Sequence, residues 1–270
     1  MDFSSKCLQI RKDILSEIAS VGSGHVGGSL SVVELLVILY YKHMNIDPKN
    51  PKTEGRDRLI VSKGHCGPAV YAVLSDKGYF DKNLLYTLNK FGTNLPSHCD
   101  MNKTPGVDMT TGSLGQGFSC AVGIAKASKL RSDNATIYAI IGDGECQEGQ
   151  IWEGAMLASH WKLNNLITFI DYNKLQLDGK VEEICNVAPL NEKWKAFGWD
   201  TINVENGNSC EEIDKAILKA KSSNKPSAII LNTIKGYGVK FAEKAESNNH
   251  SMPLSQELLK EAIKELDGDI

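Results

Sequence analysis

The chain has 270 residues, 41% of them hydrophobic and 23% charged, and a formal net charge of −3. This is an ordinary globular composition with ample material for a core. The near-neutral balance and the lack of a long basic block exclude nucleic acid and a membrane surface as expected partners, and no apolar run approaches the length of a membrane span.

The start, MDFSSKCLQIRKDIL, has no signal-peptide layout. Seven cysteines stand singly at 7, 66, 99, 120, 146, 185 and 210. Without a Cys-x-x-Cys pair they suggest neither a zinc cluster nor a disulfide framework, so reduced thiols in a cytoplasmic protein are expected. Apolar residues at Leu8, Ile10, Ile14, Leu15 and Ile18 recur at helical spacing. The glycine-rich VGSGHVGGS follows. Ser31 and Glu34 then read as a capping box that opens a second helix, VVELLVILYY, apolar all round and therefore buried. A short strand is predicted at Leu59–Val61, followed by the small loop SKGHCG, with helices over about 68–77, 82–90 and 115–130. Beyond residue 135 strands and helices alternate. The strands are 136–141, 166–171, 200–204 and 227–234, and the helices 148–162, 210–222 and 254–266.

These strands are continuous apolar runs, as a sheet covered on both faces requires. The fold class expected is therefore α/β, a parallel sheet sandwiched by helices. No Pro- or Gly/Ser-rich linker divides the chain, so a single domain over 1–270 is expected. Two long loops, 173–191 and 235–253, stand out as functional candidates.

In open parallel sheets, ligands sit beyond the carboxyl ends of the strands. Three strand ends here carry polar, glycine-flanked residues: Gly142–Asp143–Gly144, DYNKLQ with Asp171 and Asn173, and KGYG at 235–238. Asp143 and Asn173 are separated by one helix and one strand, which puts them at the ends of neighbouring strands. A carboxylate and an amide oxygen suit Mg²⁺ or Ca²⁺, and Mg²⁺ completes its shell with phosphate oxygens and water. The two glycines let a bulky anion approach the backbone. The residues themselves thus suggest a metal–diphosphate site. Asp-Gly as a plain hairpin turn is the general alternative, but the residues that follow are helical rather than a returning strand. GSGHVG at 22–27 matches a dinucleotide fingerprint, yet it follows a helix rather than a strand, so a nicotinamide or flavin site is rejected.

GDG followed about thirty residues later by an Asn after an apolar strand resembles the thiamine diphosphate-binding signature. SGHVGGSLS, SKGHCGPAVYAVL, TGSLGQG, GDGECQEGQIWE and DYNKLQLDG then occur in the order found in the N-terminal, diphosphate-binding part of transketolase, over roughly residues 5–255. The resemblance implies that Asp143 and Asn173 hold Mg²⁺ (or Ca²⁺ or Mn²⁺) by their side chains and Leu175 by its carbonyl. It implies that Gly142 and Gly144 meet the diphosphate, that His65 contacts the cofactor, and that Gly112, Ser113 and Leu114 run along its pyrimidine side. His25 and His98 resemble the histidines of the sugar channel. His250 resembles a histidine that serves both cofactor and substrate. Glu148 resembles the acid that couples two active sites across the dimer; its alternative is a favourable charge in a helix's first turn. His43 and His160 match no motif. Two departures stand out: His25–Val26–Gly27 replaces the family's His-Pro-Gly, and Tyr172 stands where many relatives carry a second Asn or Asp.

Nothing in the chain reads as the pyrimidine-binding domain, which points to one subunit of a split enzyme. The partner implied is a C-terminal subunit with the pyrimidine-binding and C-terminal domains, in an α2β2 assembly, with the buried helices at 31–42 and 115–130 as contact faces. The activity implied is transfer of a two-carbon ketol unit between sugar phosphates. Deoxyxylulose-phosphate synthase and the alpha subunit of a 2-oxo acid dehydrogenase are the alternatives within the enzyme class. A non-catalytic cofactor-binding regulator is the alternative outside it. Cys66, Cys99 and Cys146 adjoin proposed site residues and are expected to react with alkylating agents unless cofactor shields them.

Overall fold

The computed structural model describes residues 1–268, so the last two residues of the expected 1–270 domain lie outside the described residues. Five parallel strands form the central sheet: β1 Arg58–Val61, β2 Ile137–Gly142, β3 Leu166–Tyr172, β4 Asp200–Val204 and β5 Ser227–Asn232. Their order is β1-β2-β3-β5-β4. All run the same way, so their carboxyl ends share one edge, and the register sets Gly142 beside Asp171 and Tyr172 beside Asn232.

The longer helices are α1 Phe3–Val21, α2 Val33–Ile38, α3 Gly67–Asp76, α4 Gln116–Arg131, α5 Gly149–His160, α6 Leu190–Ala196, α7 Cys210–Lys221 and α8 Gln256–Asp267. They lie on both faces, because successive strand residues point in opposite directions. Tyr138, Ile140, Ile167 and Phe169 pack with α1, α2, α3 and α7. Ile137, Ala139, Ile141 and Ile170 pack with α4, α5 and α6. This is the α/β sandwich that the apolar strands predict.

Helix α1 forms because Asp2 accepts from the amides of Ser4 and Ser5 and because Ile10, Ile14, Leu15 and Ile18 make a fully buried stripe. It stops at Gly22, whose φ of 86° is the left-handed cap. The next stretch differs from expectation. A short helix, Val26–Leu30, precedes Ser31, the chain restarts as α2, and a π-turn covers Leu39–His43. Ser31 does not cap. Its hydroxyl lies 2.7 Å from Asp171, and Glu34 pairs at 2.5 Å with Arg11. Two tertiary partners outcompete the local box. Residues 82–90 likewise give only a 3₁₀ segment, Lys82–Thr87. Neither long loop is bare: 173–191 holds a two-residue hairpin, Leu175–Gln176 with Gly179–Lys180, and 235–253 ends in Met252–Pro253 paired with Ser23–Gly24. No helix among the described residues is long and apolar enough to cross a membrane.

Candidate functional site

Beyond the carboxyl edge of the sheet lies a cavity of about 350 Å³, lined by Gly142 at the end of β2 and by the loops that follow β1, β2, β3 and β5. Asp143, at the end of β2, is nearly fully buried. One carboxylate oxygen accepts from Gly144 N at 2.7 Å, the other from Lys174 N at 2.5 Å. Lys174 stands between Asn173 and Leu175, so Asp143 grips the loop that carries the other two proposed donors. The Asn173 amide oxygen accepts from Leu175 N at 3.1 Å. The Leu175 carbonyl accepts from Lys235 Nζ at 3.2 Å. One carboxylate, one amide and one carbonyl are hard oxygens, a set that fits Mg²⁺ or Ca²⁺ and not a soft metal. Burial, with the nearby Asp171 charge, pushes Asp143 up to about 7. A carboxylate under that strain is one a divalent cation would relieve.

Asp171, next to last in the neighbouring β3, is fully buried. It accepts from Ser31 Oγ at 2.7 Å, Lys63 Nζ at 2.5 Å, Asn173 Nδ2 at 2.9 Å and the Thr233 hydroxyl. Burial alone would raise its pKa, but the Lys63 ammonium and the hydroxyl donors hold it below the usual carboxylate range. The same carboxylate holds Lys63 charged against its own burial. Lys235, from the KGYG loop, is also buried, and desolvation together with Lys63 lowers it to about 8. Two ammonium groups thus border a cavity that Gly142 and Gly144 also line, a setting made for an anion with several oxygens. Glu145 joins the surrounding loops: its carboxylate accepts from Gly115 N at 2.8 Å, Gly142 N at 3.1 Å and the Ser62 hydroxyl.

Four histidines cluster at the same edge. The His25 ring lies 5.6 Å from His65, 5.3 Å from His98 and 5.4 Å from His250, centroid to centroid, and His65 lies 4.8 Å from His250. Burial lowers all four, with help from neighbouring cations for His65 and His250 and from His98 for His25. His25 and His250 fall to about 4, so both are neutral at pH 7 and able to accept protons. Asn249 sets the last of the four in place by donating to the carbonyls of Lys235 and Ala242 at 3.1 and 2.7 Å.

Gly112 and Leu114 line the cavity, whereas Ser113 lies outside its lining, exposed and 3.2 Å from the Gln116 amide. Gly112 has φ 143°, and a Cβ there would meet the His98 ring at 3.0 Å, so only glycine fits. Gly144 lines the cavity with its N–H turned to Asp143. Glu148 stands exposed at the rim. His43 pairs with Asp214 at 2.8 Å and His160 is exposed on α5, both away from the cavity.

The structure argues against the thiol expectation: Cys66, Cys99 and Cys146 are all buried in the core, and burial raises each of them, away from the reactive thiolate. The contact faces are corrected in part as well: Val32 to Tyr40 are buried within this chain and are unavailable to a partner, whereas α4 keeps an outer face with Leu130 exposed. Sequence reasoning missed Lys63, and it gave no role to Asp171 and Lys235 although both stand at the strand ends it singled out. The signal was present: each lysine follows a strand and precedes a glycine, in SKGH and KGYG.

The chain matches the family described as transketolase, thiamine diphosphate binding domain, over residues 5–268. It is 53% identical to a 6-deoxy-6-sulfo-D-fructose transketolase subunit of Clostridium sp. (strain MSTE9), over the whole of this chain and 98% of that one. It is 37% identical to an apulose-4-phosphate transketolase subunit of Phocaeicola vulgatus, over 95% of this chain and 90% of that one. The fold superposes on a crystal structure of transketolase from Pichia stipitis with a TM-score of 0.92 and 30% identity, and covers 41% of that longer chain.

Proposed function

The chain belongs to the transketolase family, and on that premise we propose that it is the thiamine diphosphate-binding subunit of a split transketolase. The observation that carries this reading is the meeting, at one sheet edge, of an oxygen-donor loop gripped by Asp143, two buried ammonium groups and four neutral histidines. The 53% identical subunit is covered almost end to end, which supports assembly with a second polypeptide. Its name supports a ketose with a sulfonate on its last carbon as the two-carbon donor. Removal of carbons 1 and 2 from such a hexulose leaves a four-carbon aldose that keeps the sulfonate.

Thiamine diphosphate, when bound, supplies the electron sink for cleavage of the bond between ketose carbons 2 and 3. The chain's own residues do the rest. Asp143, Asn173 and the Leu175 carbonyl hold Mg²⁺ or a similar cation. Lys63 and Lys235 neutralise the diphosphate, and Gly142 and Gly144, without side chains, leave it room to approach. His65 contacts the cofactor, and Gly112 and Leu114 bound the cavity beside His98. His25, His98 and His250, neutral at pH 7, accept and return hydroxyl protons of the sugar and orient it. Glu148 at the exposed rim faces the partner. The pyrimidine-binding subunit completes the site, in an α2β2 assembly placed in the cytoplasm.

The test is reconstitution. The purified chain alone should be inactive, and addition of the pyrimidine-domain subunit should confer Mg²⁺-dependent two-carbon transfer. Activity with 6-deoxy-6-sulfofructose plus an aldose phosphate, above that with xylulose 5-phosphate plus ribose 5-phosphate, identifies the donor. Activity with pyruvate plus glyceraldehyde 3-phosphate instead would sink the transketolase reading in favour of a deoxyxylulose-phosphate synthase.

A further inference from the structure

Two cysteines far apart in sequence lie side by side in the fold. Cys7, early in α1, and Cys210, the first residue of α7, have their sulfur atoms 3.6 Å apart. Cys7 is buried and Cys210 is half-buried. Both line a cleft of about 860 Å³ between the starts of α1 and α7, α2 and the end of α8. This cleft is larger than the cavity at the sheet edge and shares none of its lining residues. A small solute can therefore reach the pair without entering the active site.

The surroundings favour one sulfur as the attacker. Cys210 sits at the positive end of a twelve-residue helix and near the Arg11 guanidinium. The hydrogen bond from the Cys7 thiol lowers Cys210 most, and the same bond, with burial, raises Cys7. Glu34 works against the thiolate. Glu211 and Glu212 stand in the first turn of α7, and the Arg11 charge is shared with Glu34. A disulfide needs sulfurs about 2.05 Å apart. The two sulfurs therefore have roughly 1.5 Å to close.

We propose that Cys7 and Cys210 form a reversible thiol–disulfide site whose oxidant is a small disulfide of the glutathione type. The Cys210 thiolate attacks one sulfur of the oxidant, whose S–S bond breaks and releases one small thiolate. That thiolate takes the Cys7 proton. The Cys7 sulfur then attacks the Cys210 sulfur and displaces the second small thiolate, which takes up from water the proton that Cys210 released on ionising. Two protein thiols lose two electrons and two protons, and the oxidant gains them as two thiols. The new bond ties α1 to α7 beside the segment that carries Lys235. Asn208, two residues before Cys210, accepts from Ile234 N at 2.9 Å, and Arg11, one turn after Cys7, donates to the Tyr237 carbonyl at 3.0 Å.

The inference is independent of the sugar-transfer reading, and its test needs no turnover. The native full chain is incubated with oxidised glutathione and quenched with an alkylating agent, and its peptides are mapped by mass. The expected product is a Cys7–Cys210 linkage, two hydrogens lighter and restored by dithiothreitol. Cys7→Ser should stop at a glutathione adduct on Cys210, and Cys210→Ser should leave Cys7 unmodified. Cys7→Ala serves as a second variant should the serine disturb packing. Glutathione carried by Cys185 or Cys120 while 7 and 210 stay reduced would overturn the proposal. So would a linkage that forms only in denaturant.

Discussion

Replacement of Asp171 by Asn tests how the edge of the sheet is held together. The Lys63 and Asp171 side chains are 2% and 0% exposed, and their charges meet at 2.5 Å. In the variant the shape is nearly kept, but the Lys63 ammonium retains only the Gly28 carbonyl at 3.2 Å as a backbone partner. Loss of one member of a buried ion pair costs about 3–5 kcal/mol, because the other charge is left uncompensated. The Ser31 and Thr233 hydroxyls lose a charged acceptor as well. The total is a large part of the roughly 5–15 kcal/mol that holds a domain folded. Lys63→Met alone leaves a buried carboxylate with three neutral donors and should also destabilise. The double variant removes both charges of the pair and should recover at least about 2 kcal/mol relative to the sum of the singles. Urea unfolding of the four proteins at pH 7 closes the cycle. A loss below about 1 kcal/mol for Asp171→Asn, or strict additivity in the double variant, would refute the view that an ion pair organises this edge.

Asp143→Ala should abolish Mg²⁺-dependent retention of thiamine diphosphate by the assembled enzyme, while the chain still folds at a cost of roughly 1–3 kcal/mol for the Gly144 and Lys174 amides left without their acceptor; calorimetry on parent and variant checks it, and undiminished binding removes Asp143 from the site. His98→Ala should lower kcat or raise KM with cofactor affinity nearly intact, and His65→Ala should weaken the cofactor first; steady-state assays at varied cofactor decide, and the reverse pattern would exchange the two roles. His25 and His250 titrate at about 4 in the folded chain, below the usual imidazole value of 6.5, so the chain without ligands should be insensitive to them above pH 6.5 and lose stability as pH falls from there toward 4. Denaturation midpoints of His25→Gln/His250→Gln should fall less steeply across that window than those of the parent; parallel curves would deny the shift.

Sequence periodicity made the sheet legible because each strand is a continuous apolar run, and Ile137 to Ile141 is buried on alternate sides by two separate cores. The meeting of Asp143 and Asn173 was legible for the same reason: one helix and one strand between them leave only a neighbouring strand end for the second residue. The capping box at Ser31 was misread because a local pattern cannot show a distant competitor, here Asp171, 140 residues on. The reactive thiols were misplaced on the same grounds. Adjacency in sequence to His65 or His98 says nothing about burial, and Cys66 spends its thiol on the Gly28 carbonyl at 2.8 Å.

The buried charges explain why an edge so rich in titratable groups can stay ordered before any ligand arrives. Lys63 is neutralised by Asp171 inside the protein, whereas the partners of the Lys235 ammonium among the described residues are a carbonyl and the His250 ring nitrogen. The first ammonium is therefore structural as well as electrostatic, and the second is held in reserve for an anion. A diphosphate next to Lys235 would restore its ordinary pKa, and a cation at Asp143 would do the same for that carboxylate. Each ligand thus relieves a strain that the other leaves in place. Because Mg²⁺ completes its shell with phosphate oxygens, the site on the proposed reading takes metal and diphosphate together and binds either one alone less well. Titration of the assembled enzyme with thiamine diphosphate, with and without Mg²⁺, should show each raising the other's affinity by the same factor, as linkage requires. Independent binding of the two would mean that Lys235 and Asp143 do not face the same ligand.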